Sequence, residues 1–215
     1  YRMKIRKGVS IGDFYVTGLK TDDYGRIYVD PNTNTITLDP DTWIYGGNTE
    51  AKSRLGWSNN FSFKGVNLSV LIDARIGGRG VSATQAMLDR FGVSKNSADA
   101  RADGGVWISS DQKLPDVKTF YANNGNGMSM LANYVYDMTN IRLREVSLGY
   151  DLPTSWFKDK VGMSVSVVGR NLWMIYNKAP FDPELTASTG TYYQGIDYFM
   201  QPSTRNIGFS VKLQF

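Results

Sequence analysis

The chain ends with "RNIGFSVKLQF" (Arg205–Phe215), a stretch in which apolar and polar residues alternate. Alternation at a period of two is the pattern of a β-strand with two unlike faces. In a soluble sheet the apolar face meets a protein core, whereas in a membrane β-barrel it meets lipid and the polar face lines the lumen. The apolar residues of this strand are Ile207, Phe209, Val211, Leu213 and Phe215. The last strand alone does not decide between these two environments.

The composition argues against an enzyme. The chain contains no Cys and no His among its 215 residues. The chain therefore cannot form a disulfide, a thiolate nucleophile or a Ser-His pair. It also lacks the ligands of most transition-metal sites. The net charge is only +4, and the Lys and Arg residues form no long run, which argues against a dedicated nucleic-acid-binding protein. We expect no catalytic residues, no cofactor, no metal site and no nucleic-acid partner.

Other segments show the same alternation and predict an all-β fold. Trp57–Lys64 and Val66–Ile76 alternate on either side of Lys64-Gly65, which predicts a tight hairpin. In Asn140–Pro153 the alternation slips by one residue at Arg144-Glu145, as a β-bulge would require. Gly162–Trp173 supplies a further strand.

Short turns and long connections separate these strands. Lys64-Gly65 and Pro153–Gly162 are short, whereas Gly77–Asn140 and Tyr176–Thr204 are long and polar. Val81–Gly92, within the first long connection, predicts a short helix. Long structureless loops are uncommon in compact soluble domains, and alternating short and long connections are typical of outer-membrane barrels.

Several motifs resemble the C-terminal part of SusC-like (RagA-type) TonB-dependent outer-membrane transporters. They occur in the order known for that family and span nearly the whole chain. The motifs are "KGVSIGDFYV" (Lys7–Val16), the stretch Tyr45–Gly78, "NIRLREVSLGYDLP" (Asn140–Pro153), "GRNLW" (Gly169–Trp173), "DPE" (Asp182–Glu184) and the closing "QPSTRNIGFSVKLQF".

The resemblance implies both an architecture and a function. It implies an antiparallel up-and-down transmembrane β-barrel, of which residues 1–215 supply about six to eight strands of a larger, 22-stranded wall. The signal peptide, the plug and the segment that engages TonB would belong to a longer protein. The implied function is import of oligosaccharides or peptides across the outer membrane of a Gram-negative, Bacteroidetes-type cell. The implied partners are a SusD-like surface lipoprotein, the TonB complex and outer-membrane lipid.

Three groups of residues are candidates for function. The resemblance makes the last strand, with its terminal Phe215, an assembly signal, and the simpler alternative is an ordinary packed Phe. Asp182 and Glu184, with Tyr192, Tyr193 and Tyr198, are candidates for loops that contact substrate or lipoprotein. A carboxylate pair for glycoside cleavage is the less favoured role of Asp182 and Glu184. "DPNTNTITLDPD" (Asp30–Asp41) resembles a calcium loop but lacks its Gly and Glu, so we expect a turn-rich hairpin.

Two alternatives to an importer stay open. The first is an outer-membrane barrel with a role in adhesion or assembly, which would share the terminal strand. The second is a soluble glycan-binding β-sandwich, whose apolar strand faces would pack on a facing sheet. The surroundings of the apolar residues of the last strand distinguish the sandwich from both barrels.

Overall fold

The computed structural model describes residues 1–215 apart from 5–6, 34, 126–130, 158–160, 185–186, 188–189, 191–192 and 215. The described residues contain fifteen β-strands and three α-helices. The strands are β1 (Arg2–Met3), β2 (Asp13–Leu19), β3 (Val29–Asp30), β4 (Thr35–Ile36), β5 (Leu38–Asn48), β6 (Ser53–Phe63), β7 (Val66–Ile76), β8 (Arg79–Ser82), β9 (Val106–Trp107), β10 (Lys113–Leu114), β11 (Val135–Asp137), β12 (Asn140–Leu152), β13 (Gly162–Asn177), β14 (Ile196–Asp197) and β15 (Asn206–Gln214). The helices are α1 (Ala83–Arg90), α2 (Lys95–Ala102) and α3 (Val117–Asn124), with short 3₁₀ helices at Ala132–Tyr134 and Thr154–Phe157.

The chain divides into two compact units. The loop unit comprises Tyr1–Glu50, Gly78–Asp137 and Leu185–Gln201, and the sheet unit comprises Ala51–Gly77, Met138–Glu184 and Pro202–Phe215. Most regular structure in both is β, as the sequence predicts, and nearly all strand pairs are antiparallel.

The sheet unit is built on one antiparallel sheet, which has five strands among the described residues, in the order β15-β13-β12-β7-β6. Strands that follow one another along the chain within this unit are neighbours in the sheet, as in an up-and-down meander. β6 and β7 pair along their whole length around Lys64 and Gly65, whose φ angles are 46° and 83°. Two consecutive positive φ angles define the turn that suits the twist of a two-residue hairpin. The predicted hairpin is confirmed.

The β-bulge predicted at Arg144-Glu145 is also confirmed. Leu143 pairs with Ile72 of β7 and Glu145 with the adjacent Leu71, so Arg144 is one extra residue against β7. On the other side, Leu143 pairs with Trp173 and Glu145 with Arg170. Between these two pairs β13 therefore has one residue more than β12. The bulge of β12 against β7 thus lies beside an irregularity in the pairing of β12 with β13.

The loop unit gains its stability from two hydrophobic clusters. One centres on Phe14, Val16 and Val81, with Leu131 and Tyr134 packed beside them, and all of these are buried. The second consists of Leu19, Ile36, Leu114 and Phe120. The predicted helix within Val81–Gly92 is confirmed as α1, which begins after Ser82, whose Oγ accepts a hydrogen bond of 3.0 Å from the backbone N–H of Gln85.

The segment that resembles a calcium loop forms a hairpin. β3 pairs antiparallel with β4, and the Asp30 carboxylate accepts a hydrogen bond from the backbone N–H of Asn32 within the turn. Asn34 lies outside the described residues. The expected turn-rich hairpin is confirmed, and the Asp30 carboxylate is engaged in the turn.

Candidate functional site

One face of the sheet unit is apolar and exposed. Strand pairing brings its side chains into rows that run across the five strands. Two complete rows are Phe63, Val66, Tyr150, Val165, Val211 and Phe61, Leu68, Leu148, Val167, Phe209. Neither of the two hydrophobic clusters of the described residues includes a residue of this sheet.

The candidate residues of the last strand lie on this face. Ile207, Phe209, Val211 and Leu213 are 74%, 84%, 53% and 51% exposed. A water-soluble sandwich would bury such residues against a facing sheet, because each exposed large apolar side chain forgoes roughly 1.5–3 kcal/mol of burial free energy. Phe215 lies outside the described residues.

Aromatic side chains lie at both ends of this face. Trp57 and Trp173 flank the same row near the end farther from the short turns, and both are more than half exposed. At the opposite end lie Phe63, next to the tight turn, and Trp156, in the 3₁₀ helix after β12. Aromatic girdles at both edges of an apolar band are a feature of transmembrane barrels.

The opposite face of the sheet is polar. Its rows combine small and hydroxylated or amide side chains near the short turns with charged side chains at the other end. Among its residues are Ser62, Asn67, Ser147, Ser166, Ser210, Asp73, Arg142, Glu145 and Arg170. A polar face of this kind tolerates water.

Arg144, the extra residue of the bulge, has its guanidinium on this polar face, where it joins three strands and a loop. Its Nε donates to Asp73 Oδ2 on β7 at 3.0 Å, and its Nη1 donates to Asn171 Oδ1 on β13 at 2.9 Å. Its Nη1 also donates to Glu184 Oε2 at 2.9 Å, and Nη2 contacts both Asp73 and Glu184. Alternation from Arg142 places Arg144 on this face, and the extra residue shifts the phase of the strand so that Glu145 lies on the same face.

Arg142 forms the buried part of the same group of contacts. Its side chain is 4% exposed, and its Nη2 donates to Asp182 Oδ1 at 2.6 Å. Nη1 donates to Ser203 Oγ at 3.0 Å and lies 3.5 Å from Glu184 Oε2. We call the two arginines, the three carboxylates that they bind and Ser203 the arginine cluster: Asp73, Arg142, Arg144, Asp182, Glu184 and Ser203.

Asp182 holds both ends of the long connection between β13 and β15. Its carboxylate accepts backbone hydrogen bonds from Glu184 and Ser203, each 3.1 Å long, and also contacts the Ser203 hydroxyl. Burial alone would raise the pKa of Asp182, but the hydrogen bonds from Ser203 and Arg142 outweigh burial and hold the pKa below its ordinary value. The carboxylate is thus charged at neutral pH and fixed in place.

This geometry favours a loop-shaping role for Asp182 and Glu184. A general acid for glycoside cleavage needs a raised pKa, and a nucleophile needs a free carboxylate oxygen. Asp182 has a lowered pKa, and both carboxylates are engaged by arginines. The described residues contain no group of three or more Asp, Glu, His or Cys side chains that could hold a metal ion. Contact of these two residues with substrate or lipoprotein stays a prediction.

The tyrosine candidates belong to the loop unit. Tyr193 and Tyr198 are 46% and 54% exposed. The ring of Tyr198 packs edge-on against Phe199, with the ring centroids 5.3 Å apart. Tyr192 lies outside the described residues. Sequence reasoning did not identify Asp73, Arg142, Arg144 and Ser203 as functional, although the alternation placed Arg142 on the polar face and the slip marked Arg144.

The chain resembles known proteins over nearly its whole length. No family model matches the chain. It is 26% identical over 223 aligned residues to TonB-dependent receptor P3 of Formosa agariphila, covering 97% of this chain and 21% of the relative. It aligns with a chain of the RagAB peptide transporter structure at a TM-score of 0.55 and 15% identity, covering 94% of this chain and 22% of that one. The chain thus spans about a fifth of the length of the proteins it matches.

None of the helices in the described part of the chain is long and apolar enough to span a membrane. The curated relative aligns over nearly the whole chain, and the fold agrees with that of the corresponding part of the RagAB structure. The resemblance to SusC-like (RagA-type) TonB-dependent transporters that the sequence predicts is thereby confirmed.

Proposed function

We propose that this chain forms part of the transmembrane wall and the outer loops of a TonB-dependent importer of nutrients in the outer membrane. The observation that carries the proposal is the exposed apolar face of the antiparallel sheet, with a polar face behind it. In this proposal lipid contacts the apolar face, and the water-filled lumen of the barrel hydrates the polar face. This role requires no catalysis by the chain.

The dimensions of the strands support a membrane-spanning wall. β7 has 11 residues. At ~3.3 Å per residue it is roughly 36 Å long, and at a tilt of ~45° it spans about 25 Å, the height of the apolar band in such barrels. In this arrangement the turns at Lys64-Gly65 and after Leu152 face the periplasm, and the long connections face the outside.

The remainder of the wall belongs to the rest of the protein in this proposal. Residues 1–215 form its C-terminal portion, contributing about six to eight of 22 strands, of which the described sheet shows five. β15 lies at the edge of the described sheet, and in this proposal it closes the wall and presents the assembly signal, since an unpaired edge strand can be captured by strand addition.

Substrate and partners follow from the proposed role. We infer import of oligosaccharides or peptides together with a SusD-like surface lipoprotein, powered by the TonB complex through another part of the protein. The RagAB structure is that of a peptide transporter. Exposed Tyr193 and Tyr198 suit stacking on sugar rings or packing on a partner. The arginine cluster would anchor the two ends of the outer connection, at Asp182–Glu184 and Ser203, to the wall strands.

Spin labels on the last strand test the membrane assignment. The chain has no native Cys, so single cysteines at positions 207–212 of the intact transporter, after replacement of any Cys outside this chain, can carry a nitroxide. In lipid nanodiscs we expect labels at Ile207, Phe209 and Val211 to be relaxed by oxygen, which dissolves in lipid. Labels at Gly208, Ser210 and Lys212 serve as the matched set and should respond less to oxygen. Equal oxygen accessibility at all six positions, or full accessibility of 209 to a water-soluble nickel chelate, would refute the lipid-facing wall.

An uptake measurement separates an importer from a barrel that serves adhesion or assembly. Cells that carry the intact protein should accumulate a labelled oligosaccharide or peptide only when TonB is present. Accumulation that is independent of TonB, or no accumulation of any offered cargo despite a correctly assembled barrel, would favour the alternative. Correct assembly is checked by the spin-label pattern, so failure of transport and failure of the membrane assignment give different results.

A further inference from the structure

A cavity of about 410 Å³ lies in the loop unit, between the ends of its three helices. The C-terminal end of α1 supplies Arg90 and Phe91, α2 supplies Arg101, and α3 supplies Lys118 and Tyr121. Its volume falls within the range of small-molecule sites. The proposed transport function assigns no role to this cavity.

The cavity carries an excess of positive charge. In the part of the chain that the structure describes, none of its three cations, Arg90, Arg101 and Lys118, forms an ion pair. The guanidinium of Arg101 donates to the Gly92 carbonyl at 3.0 Å, which fixes it beside the turn that follows α1. Charged guanidinium and ammonium groups that lack a carboxylate partner are the usual ligands of carboxylate, sulfate and phosphate groups.

Among the described residues, the acidic side chains nearby form no ion pair with these cations. Asp89 is buried at the back of the cavity, and its two carboxylate oxygens accept hydrogen bonds from Gln85 Nε2 at 2.9 Å and from the Tyr134 hydroxyl at 3.0 Å. Burial, followed by the charges of Asp89 and Asp99, raises the pKa of Tyr121, so its hydroxyl remains a hydrogen-bond donor. One further donor therefore lines the cavity beside the cations.

Aromatic rings form the other wall. Phe91 is 69% exposed although it lies at the end of a helix beside the core, and Tyr121 is half-buried. An exposed Phe ring at the lining of a cavity can pack on the apolar face of a small ring. We propose that this cavity binds a monosaccharide-sized anion, whose carboxylate or sulfate group contacts Arg90, Arg101 and Lys118 and whose ring packs on Phe91.

Isothermal titration of the intact transporter in detergent with defined probes tests this site. The probes are galacturonic acid and galactose 6-sulfate, and galactose is the uncharged match. We expect at least one charged sugar to bind at least tenfold more tightly than galactose. The double variant Arg90→Gln, Lys118→Gln should weaken that binding at least tenfold. Lys95→Gln, on the exposed start of α2 and outside the cavity, is the matched control and should leave it unchanged.

Three results would overturn the site. Galactose could bind as tightly as the charged sugars, neither charged sugar could bind, or the double variant could bind like the control variant. Because both substituted side chains are exposed, the double variant should fold, which its unfolding temperature verifies. Binding is measured without transport, so failure here leaves the proposed import function standing.

Discussion

Neutralising one carboxylate of the arginine cluster should release the connection between β13 and β15. The change is Asp182→Asn, which preserves the size of the side chain and removes its charge. The partner, Arg142, has a side chain that is only 4% exposed, and its other anionic neighbour, Glu184, is 3.5 Å away. The variant therefore leaves a buried guanidinium whose remaining carboxylate neighbour, Glu184, also pairs with Arg144.

The magnitude follows from the cost of separating such a pair. Removing one partner of a buried ion pair costs about 3–5 kcal/mol, and we take about 3 kcal/mol because Glu184 and Ser203 remain. At about 1.4 kcal/mol for each factor of ten, the open population of the connection should rise roughly 100-fold.

Hydrogen exchange of the intact protein in lipid measures this opening. The backbone amides of Glu184 and Ser203 donate to Asp182, so peptides covering residues 177–184 and 201–204 should exchange roughly 100-fold faster in the variant. The matched control is Glu145→Gln on the same face of the sheet. It removes an ion pair with Arg170, whose side chain is 66% exposed, so it should cost only about 0–1 kcal/mol. Equal exchange in the two variants would refute the view that Asp182 anchors the connection.

Three further predictions concern the turn, the two faces and pH. Gly65→Ala places a Cβ at a φ of +83° and 2.9 Å from the Asp151 carbonyl oxygen, so urea unfolding of the intact protein should show a loss of about 1–2 kcal/mol or more. Phe209→Lys should destabilise the lipid-inserted protein by about 2–4 kcal/mol in the same assay, whereas Ser210→Lys on the polar face should have little effect. Because the pKa of Asp182 lies below its ordinary value of 3.8, exchange protection of its connection should persist from neutral pH down to roughly pH 4 and be lost as the pH falls further.

The sequence predicted the sheet unit well because its faces differ so strongly. The alternation predicts a strand at Val66–Ile76, and β7 has those bounds; the slip at Arg144-Glu145 is a bulge. Two-residue periodicity fixes both the strand and the direction of each side chain. The number of wall strands in the whole chain stays a prediction.

The loop unit was predicted less completely. The sequence pattern does not predict β5, since Pro40 and the pair Gly46-Gly47 interrupt any alternation. It lies at the edge of its sheet, where a proline is tolerated, and Gly46 sits so close to Phe14 that a Cβ would be 2.3 Å from the ring. These contacts depend on packing between distant segments, which no local pattern records.

The arginine cluster shows the same limit. Arg142 and Asp182 are 40 residues apart, and Arg144 and Asp73 are 71 apart. The alternation of β12 places Arg142 on the polar face, but no local pattern indicates which side chains it contacts. The spacing of Asp182 and Glu184, two residues apart around Pro183, argues against a hydrolytic pair, and their role in loop contacts stays a prediction.

The bulge at Arg144 has a consequence for how the length of this chain can vary. A one-residue deletion inside a regular strand moves every later side chain to the opposite face of the sheet. Here it would place apolar side chains on the polar face. Arg144 is the extra residue and has no partner on β7. Its loss therefore leaves the pairing between β12 and β7 unchanged on either side of the bulge. Length differences among natural variants should accumulate at this point of β12, with the loss of one guanidinium anchor as their main cost.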